Sequence, residues 1–153
     1  MLIRQFRAGD EAALAAVLAS AVHEVAKADY NPEQLEAWAP TPFDEVRWGE
    51  RIRALRPFVA EIEGTVVGYA DLQASGYIDH FFVAGPYGRR GVGSALMARI
   101  LEDARERGLV ELFSNVSLTA ERFFARHGFI VETRQVVVSR GVELADSRMR
   151  LRL

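Results

Sequence analysis

The chain contains no cysteine among its 153 residues. That excludes disulfides, thiolate metal sites and a cysteine nucleophile, and makes a disulfide-stapled secreted domain untenable. Lysine is nearly absent as well, with Lys27 alone, and the formal net charge is −2. A dedicated nucleic-acid binder draws its affinity from a broad basic surface, so nucleic acid is not an expected partner. No apolar run approaches the roughly 20 residues of a membrane span, and the N-terminus lacks the organisation of a signal peptide. A cytoplasmic protein without a membrane partner is the expectation. Repeats, low-complexity tracts and long linkers are also missing. With half of the residues hydrophobic, one compact domain over residues 1–153 is expected.

What the chain does have is a run from Phe82 to Leu96, reading FFVAGPYGRRGVGSAL from Phe81, in which an apolar strand passes through a glycine- and arginine-rich turn into an amphipathic helix. A helix start leaves backbone N–H groups without partners and carries the positive end of the macrodipole, so an anion fits there. Gly88, Gly91 and Gly93 let the backbone approach such a ligand closely. Arg89 and Arg90 add charge suited to phosphate oxygens. Gly88 and Gly93 have the separation of a nucleoside-triphosphate loop, but Ser94 follows directly and no lysine is available, which disfavours triphosphate hydrolysis. A dinucleotide fingerprint would need a third glycine where Leu96 stands. A plain solvated strand-to-helix connection is the bland alternative.

Around this turn the apolar periodicity predicts a strand at Leu2 to Phe6 and a helix begun at Gly9-Asp10 with Leu14, Val17, Leu18, Ala21, Val22 and Val25 on one face. Helical segments follow from Asn31-Pro32 through Trp38 and from Asp44 to Leu55. Strands at Phe58 to Ile62 and Thr65 to Leu72 form a hairpin over Glu63-Gly64, and another strand runs from Tyr77 to Val83. The helix after the turn ends near Gly108. Leu109 to Phe113 reads as a strand, Thr119 to Arg126 as a short helix, and Phe129 to Val138 and Val142 to Leu153 as strands around Ser139-Arg140-Gly141. The fold class is α/β in the broad sense, an α+β order with a mixed sheet and helices on its faces rather than a doubly wound one.

Two segments together resemble the GCN5-related N-acetyltransferases, or GNAT family. The strand, turn and helix from Asp79 to Leu101 are similar to its acetyl-CoA motif, Gln/Arg-x-x-Gly-x-Gly/Ala. Ala120-Glu121-Arg122-Phe123-Phe124-Ala125-Arg126-His127-Gly128-Phe129 is similar to its Ala-x-x-Phe-Tyr-x-x-x-Gly-Phe segment. Two motifs in the right order are more specific than either alone. Asn31 to Trp38 and Arg140 to Leu144 also resemble a bacterial subgroup of small-molecule acetyltransferases.

The resemblance implies a mostly antiparallel sheet of about seven strands with a splayed central pair. It also implies coenzyme A, delivered as acetyl-CoA, as cosubstrate, and no metal. Backbone amides of Arg89, Arg90, Gly91, Val92, Gly93 and Ser94 would hold the pyrophosphate. Phe82 and Val83 would pair their backbone with the pantetheine arm, while Phe123, Phe124 and Ser117 would flank the cofactor. Replacing Gly91 or Gly93 by glutamate is expected to block the cradle without unfolding the chain. Gly88 departs from the motif's first position, and Phe124 stands where many relatives have a tyrosine that protonates the leaving thiolate. Tyr77, Tyr87, Ser114 and Ser117 are the remaining hydroxyls for that role.

Transfer to an amine needs an uncharged nucleophile, so a base must take a proton. Asp79 is the first choice and His80 the rival, with structural capping or hydrogen bonding the plain alternative for both. Unbroken strand alternation puts Asp79, Phe81 and Val83 on one face and Ile78, His80 and Phe82 on the other. In the N-terminal helical region Tyr30 and Trp38 are candidate substrate contacts, with His23 and Trp48 nearby in sequence. The tryptophans could equally anchor short helices. The expected function is direct acetyl transfer to a small-molecule or peptide amine. A non-catalytic acyl-CoA-binding or sensing module and a protein binding another nucleotide are the alternatives. The C-terminal edge strand is a candidate for pairing in a homodimer.

Overall fold

Residues 1–153 are all described by a computed structural model. Eight strands and five helices alternate as β1 (Leu2–Gln5), α1 (Glu11–Ser20), α2 (Pro32–Trp38), α3 (Glu45–Leu55), β2 (Phe58–Ile62), β3 (Thr65–Ala70), β4 (Tyr77–Ile78), β5 (Phe81–Val83), α4 (Val92–Glu106), β6 (Glu111–Ser117), α5 (Glu121–Arg126), β7 (Ile130–Ser139) and β8 (Val142–Arg152). The strands form two four-stranded sheets, ordered β1-β2-β3-β5 and β4-β6-β8-β7, antiparallel except for β4 against β6. The expected seven-stranded sheet becomes two because the Tyr77 to Val83 strand is broken at Asp79-His80. Its first half joins one sheet and its second half the other.

Helix α4 covers one face of the first sheet. Val92, Leu96, Met97, Ile100 and Ala104 recur at helical spacing and are all buried, packed with Ala60, Val67, Ile78, Leu112 and Met149. Full burial of a side chain of Leu96's size contributes roughly 1.5–3 kcal/mol. On the opposite face, Leu14 and Val17 of α1 and Ile52 of α3 meet Val59 and Tyr69. Two boundaries differ from expectation for local reasons. The helix α1 does not run on to Val25 but opens into a wider turn over Ala21–Val25 and a tight one over Ala26–Ala28. That insertion turns Val22 and Ala26 into a separate cluster with Tyr30, Leu35, Ala39 and Leu144. Leu109 closes the end of α4 through its N–H to Ala104 O, beside Gly108 at positive φ, so β6 starts two residues late and continues to Ser117. No helix is long and apolar enough to cross a membrane.

Candidate active site

The glycine-rich turn is an open array of amide donors. Gly88 N–H donates to Gly85 O and Ala95 N–H to Gly91 O, while the N–H groups of Arg89, Arg90, Gly91, Val92, Gly93 and Ser94 have no acceptor within the chain. Positive φ at Arg89 (60°) and Gly91 (79°) turns the backbone out of extended geometry just ahead of α4, with Gly91 as its N-cap. Arg89, Arg90, Gly91 and Ser94 are exposed, and neither arginine has a carboxylate partner; the Arg90 guanidinium lies 5.3 Å over the Tyr87 ring. Val92 instead turns its side chain into the core. Gly93 differs from Gly91 in what surrounds it. A side chain at Gly93 would meet Phe123 at 2.9 Å, whereas Gly91 faces open space. Glutamate at Gly93 therefore meets a steric obstacle, whereas at Gly91 it meets none and carries only the backbone strain of φ 79°.

Strand β5 is the last strand of its sheet, so one of its edges faces the other sheet without a strand partner. The ladder to β3 pairs Tyr69 with Phe82, and it is flanked by Asp71 N–H to His80 O and Ala84 N–H to Val67 O. This phase points the Phe82 N–H and C=O toward Tyr69, and those of Phe81 and Val83 into the gap. The expected backbone pairing of Phe82 with a cofactor arm is thus corrected: Val83 and Phe81 carry the free groups. Phe82 offers its ring, 6.0 Å from Trp38 and 5.6 Å from His80. Phe81 points to the opposite side, among Phe123 and Phe124.

The break that opens this gap is held by Asp71, a residue the sequence reading passed over. Its buried Oδ1 accepts from Asp79 N–H at 2.9 Å and from His80 N–H at 2.7 Å, removing both amides from strand pairing. Continuous alternation therefore fails, and Asp79 joins His80 and Phe82 on one cleft wall. Burial, which outweighs the lowering by the His80 amide, raises the Asp71 pKa to about 6. The neutral form is favoured in the folded chain, so stability falls as pH rises from about 4 through about 6 and stays lower above it, by on the order of 2–3 kcal/mol. Asp71→Asn is expected to remove that slope and to be the more stable form at pH 8, measured by urea unfolding from pH 4 to pH 8. A slope unchanged in the variant would contradict the buried carboxylate.

His80 is buried, with Nδ1 2.9 Å from the Tyr69 hydroxyl and Nε2 accepting from Arg51 Nε at 3.2 Å. Acceptance at Nε2 assigns the proton of the neutral ring to Nδ1. Burial lowers its pKa to about 4, opposed by the Asp79 charge and helped by Arg51, so the ring is neutral at physiological pH. The Arg51 guanidinium also forms an ion pair with Asp79 Oδ2, tying the two candidate bases together. Burial raises the Tyr69 pKa, so that hydroxyl stays protonated.

Two cavities meet at this wall. A wide cleft of about 1420 Å³ is bounded by α1, α3, the Pro40-Thr41-Pro42 turn and the Asp79-His80 break, and includes Phe43, Trp48 and Arg47. A gap of about 150 Å³ lies between β5 and the second sheet, lined by Tyr30, Asn115, Ser117, Leu144 and Asp146 among others. Trp38, Asp79, Phe82 and Ser139 line both. His80 lines the wide cleft alone.

The remaining expected residues fall into two groups. Ser117 lines the gap, although its Oγ also accepts from Ala120 N–H at 3.2 Å. Trp38 stands between the cavities, edge-on to Tyr30 at 5.4 Å. Tyr30 is less available than expected: its hydroxyl donates to Ala145 O at 2.6 Å and accepts from Leu118 N–H at 3.0 Å, so its ring alone faces the gap. Trp48 pins α3 to α1 through Nε1 to Glu11 O at 2.7 Å, and His23 Nε2 bonds Ala39 O. Phe124 is 2 % exposed among Phe81, Phe123 and Phe129. Ser114 Oγ donates to Ile78 O, locking β4 to β6 rather than facing either cavity.

Comparison with known proteins bears on family and fold. The family model for the acetyltransferase (GNAT) domain matches residues 26–153. The chain is 36 % identical over 148 residues to the uncharacterised N-acetyltransferase YafP of Escherichia coli, covering 97 % of this chain and 93 % of that protein. A GCN5-related N-acetyltransferase from Rhodopseudomonas palustris, described as a class-II aminotransferase, superposes with a TM-score of 0.95 at 31 % identity, covering 99 % and 95 % of the two chains. The PaiA N-acetyltransferase of Thermoplasma acidophilum, solved with coenzyme A, shares the fold at a TM-score of 0.77 and 16 % identity, covering 99 % and 98 %.

Proposed function

Since the chain belongs to the GCN5-related N-acetyltransferase family, we propose that it is an acetyl-CoA-dependent N-acetyltransferase. It transfers the acetyl group directly to a primary amine of a small molecule or an exposed protein amine. The observation that carries this reading is the run of unpaired amides from Arg89 to Ser94, next to a strand edge with free backbone groups. The amides suit a pyrophosphate, with Arg89 and Arg90 adding charge. The free groups of Phe81 and Val83 suit an amide-rich arm lying in the gap. Bound there, acetyl-CoA would supply an activated acyl group and a thiolate leaving group.

The chain's own part is to prepare the amine. The acceptor enters through the wide cleft, and Asp79, which lines both cavities, takes the proton that frees its lone pair. The nitrogen then bonds to the acyl carbon, the carbon–sulfur bond breaks with its electron pair on sulfur, and the remaining excess proton passes from nitrogen to sulfur through water. A thiol of ordinary pKa, about 8.5, leaves without a strong acid, so Phe124 in the tyrosine position does not forbid turnover. Because that position holds no proton donor and is buried, a non-catalytic acyl-CoA-binding role is the second reading. Thiol release from acetyl-CoA across a panel of primary amines, with the acetylated product identified by mass, separates the two. Amine-dependent release supports the enzyme; tight binding with no release supports the sensor.

A further inference from the structure

The wide cleft contains an ion pair whose two partners each keep one bonding position free. Arg51 donates through Nε to His80 Nε2 at 3.2 Å and through Nη2 to Asp79 Oδ2, so its guanidinium is held at two corners. The third corner, Nη1, has no acceptor in the chain, and Asp79 Oδ1 accepts no hydrogen bond from it. Four residues earlier on α3, and so on the same helix face, stands Arg47. Its N–H donates to Asp44 Oδ1, while its guanidinium lines the cleft without a hydrogen bond or ion pair. Two like charges at this spacing repel each other. The other charged groups of the cleft do not relieve them. Asp44 is spent on capping α3, Glu50 makes no ion pair, and Arg140 donates to Ala37 O. A place for one anion therefore lies beside a place for one cation.

We propose that the acceptor is an α-amino acid bound in the wide cleft, with its ammonium on Asp79 Oδ1 and its carboxylate on Arg51 Nη1 and Arg47. The inference rests on the acetyltransferase reading and names the substrate class of the same site, leaving the gap to the cofactor's arm. A zwitterion lying antiparallel to the Asp79–Arg51 pair meets an opposite charge at both of its ends. Spacing selects the α-amino arrangement. Nη1 and Nη2 share one carbon, and Nη2 is already on Asp79, so the anion and cation positions are neighbours. An amine and a carboxylate on one carbon reach both, whereas an amine at the far end of an alkyl chain reaches only one. The side chain of the amino acid is left to the apolar walls of Leu18, Phe43 and Trp48. When Asp79 takes the ammonium proton, the arginines still hold the carboxylate, so the nitrogen stays in place for attack.

The test compares L-norleucine, its isomer 6-aminohexanoate, and n-pentylamine, which is norleucine without the carboxylate. In wild type, kcat/KM for L-norleucine is expected to exceed that for either of the others by about 100-fold or more, the size of a charge-assisted contact. In Arg47→Gln, an exposed position, that ratio should fall by about tenfold or more through the KM for norleucine, and Arg47→Lys should restore most of it. The same amines meet both proteins, so their basicity in solution does not enter the change. A readout without turnover runs alongside. L-Norleucine should shift the indole N–H resonances of Trp38 and Trp48, which both line the cleft, at lower concentration than n-pentylamine, and Arg47→Gln should remove that advantage. Equal kcat/KM for the three acceptors, or a ratio unchanged in Arg47→Gln, overturns the amino-acid site. If acetyl-CoA does not bind or turn over at all, the acetyltransferase reading fails, while a carboxylate-dependent indole response that Arg47→Gln abolishes still upholds the anion position.

Discussion

Gly91→Glu is expected to weaken acetyl-CoA binding at least about 1000-fold, equivalent to about 4 kcal/mol, while the chain stays folded. The glutamate would stand in the middle of the amides from Arg89 to Ser94, where it both fills the space and sets a negative charge against the pyrophosphate. Gly91 has φ of 79° and no heavy atom within 4 Å of the added Cβ. The local strain of a non-glycine residue there is roughly 1–2 kcal/mol, which lowers the melting temperature by several degrees without unfolding the protein. Gly93 is the poorer probe, since its Cβ would press on Phe123. Calorimetric titration with acetyl-CoA alongside thermal unfolding checks both halves. Retained affinity in a folded Gly91→Glu protein would remove the pyrophosphate from this turn.

Asp79→Asn is expected to lower kcat about 100-fold or more at saturating acetyl-CoA, the usual size of a lost general base, with acetyl-CoA affinity unchanged. The carboxylate lines both cavities, so it meets the acceptor where the gap and cleft join. His80 is a weaker claimant. Its ring lines the wide cleft alone, is neutral down to about pH 4, and offers only the Nε2 lone pair, which Arg51 already occupies. Burial thus keeps the His80 ring in its neutral form and away from the proton-accepting role. Steady-state rates from pH 5 to pH 9 for wild type and Asp79→Asn provide the check, and coincident profiles of equal height would take Asp79 out of the mechanism.

The parts of this site that were legible in the sequence are those whose chemistry is local. The amide array of Arg89 to Ser94 follows from glycine spacing and a helix start, and it stands where the sequence placed it. The hairpin of β2 and β3 and the buried stripe of α4 follow from period and turn chemistry alone. What escaped depends on contacts distant along the chain. Asp71 looks like the end of a strand, yet it captures two amides eight and nine residues away and so breaks the next strand. Alternation then misplaced Asp79, because the rule assumes the strand is continuous. Arg51 reads as one more charge on a helix surface, and only tertiary packing brings its guanidinium to Asp79 and His80. Tyr30 was picked for its ring, whereas its hydroxyl spends both bonds joining the N-terminal helices to β8 and the β6–α5 turn.

The most direct measurement is isothermal titration calorimetry of the wild-type protein with acetyl-CoA, and with ATP and NAD as controls. The cradle and the strand edge together predict micromolar acetyl-CoA binding and no heat from either control. Absence of acetyl-CoA binding, or equal binding of ATP or NAD, would contradict the reading of the turn and the gap as one coenzyme A site.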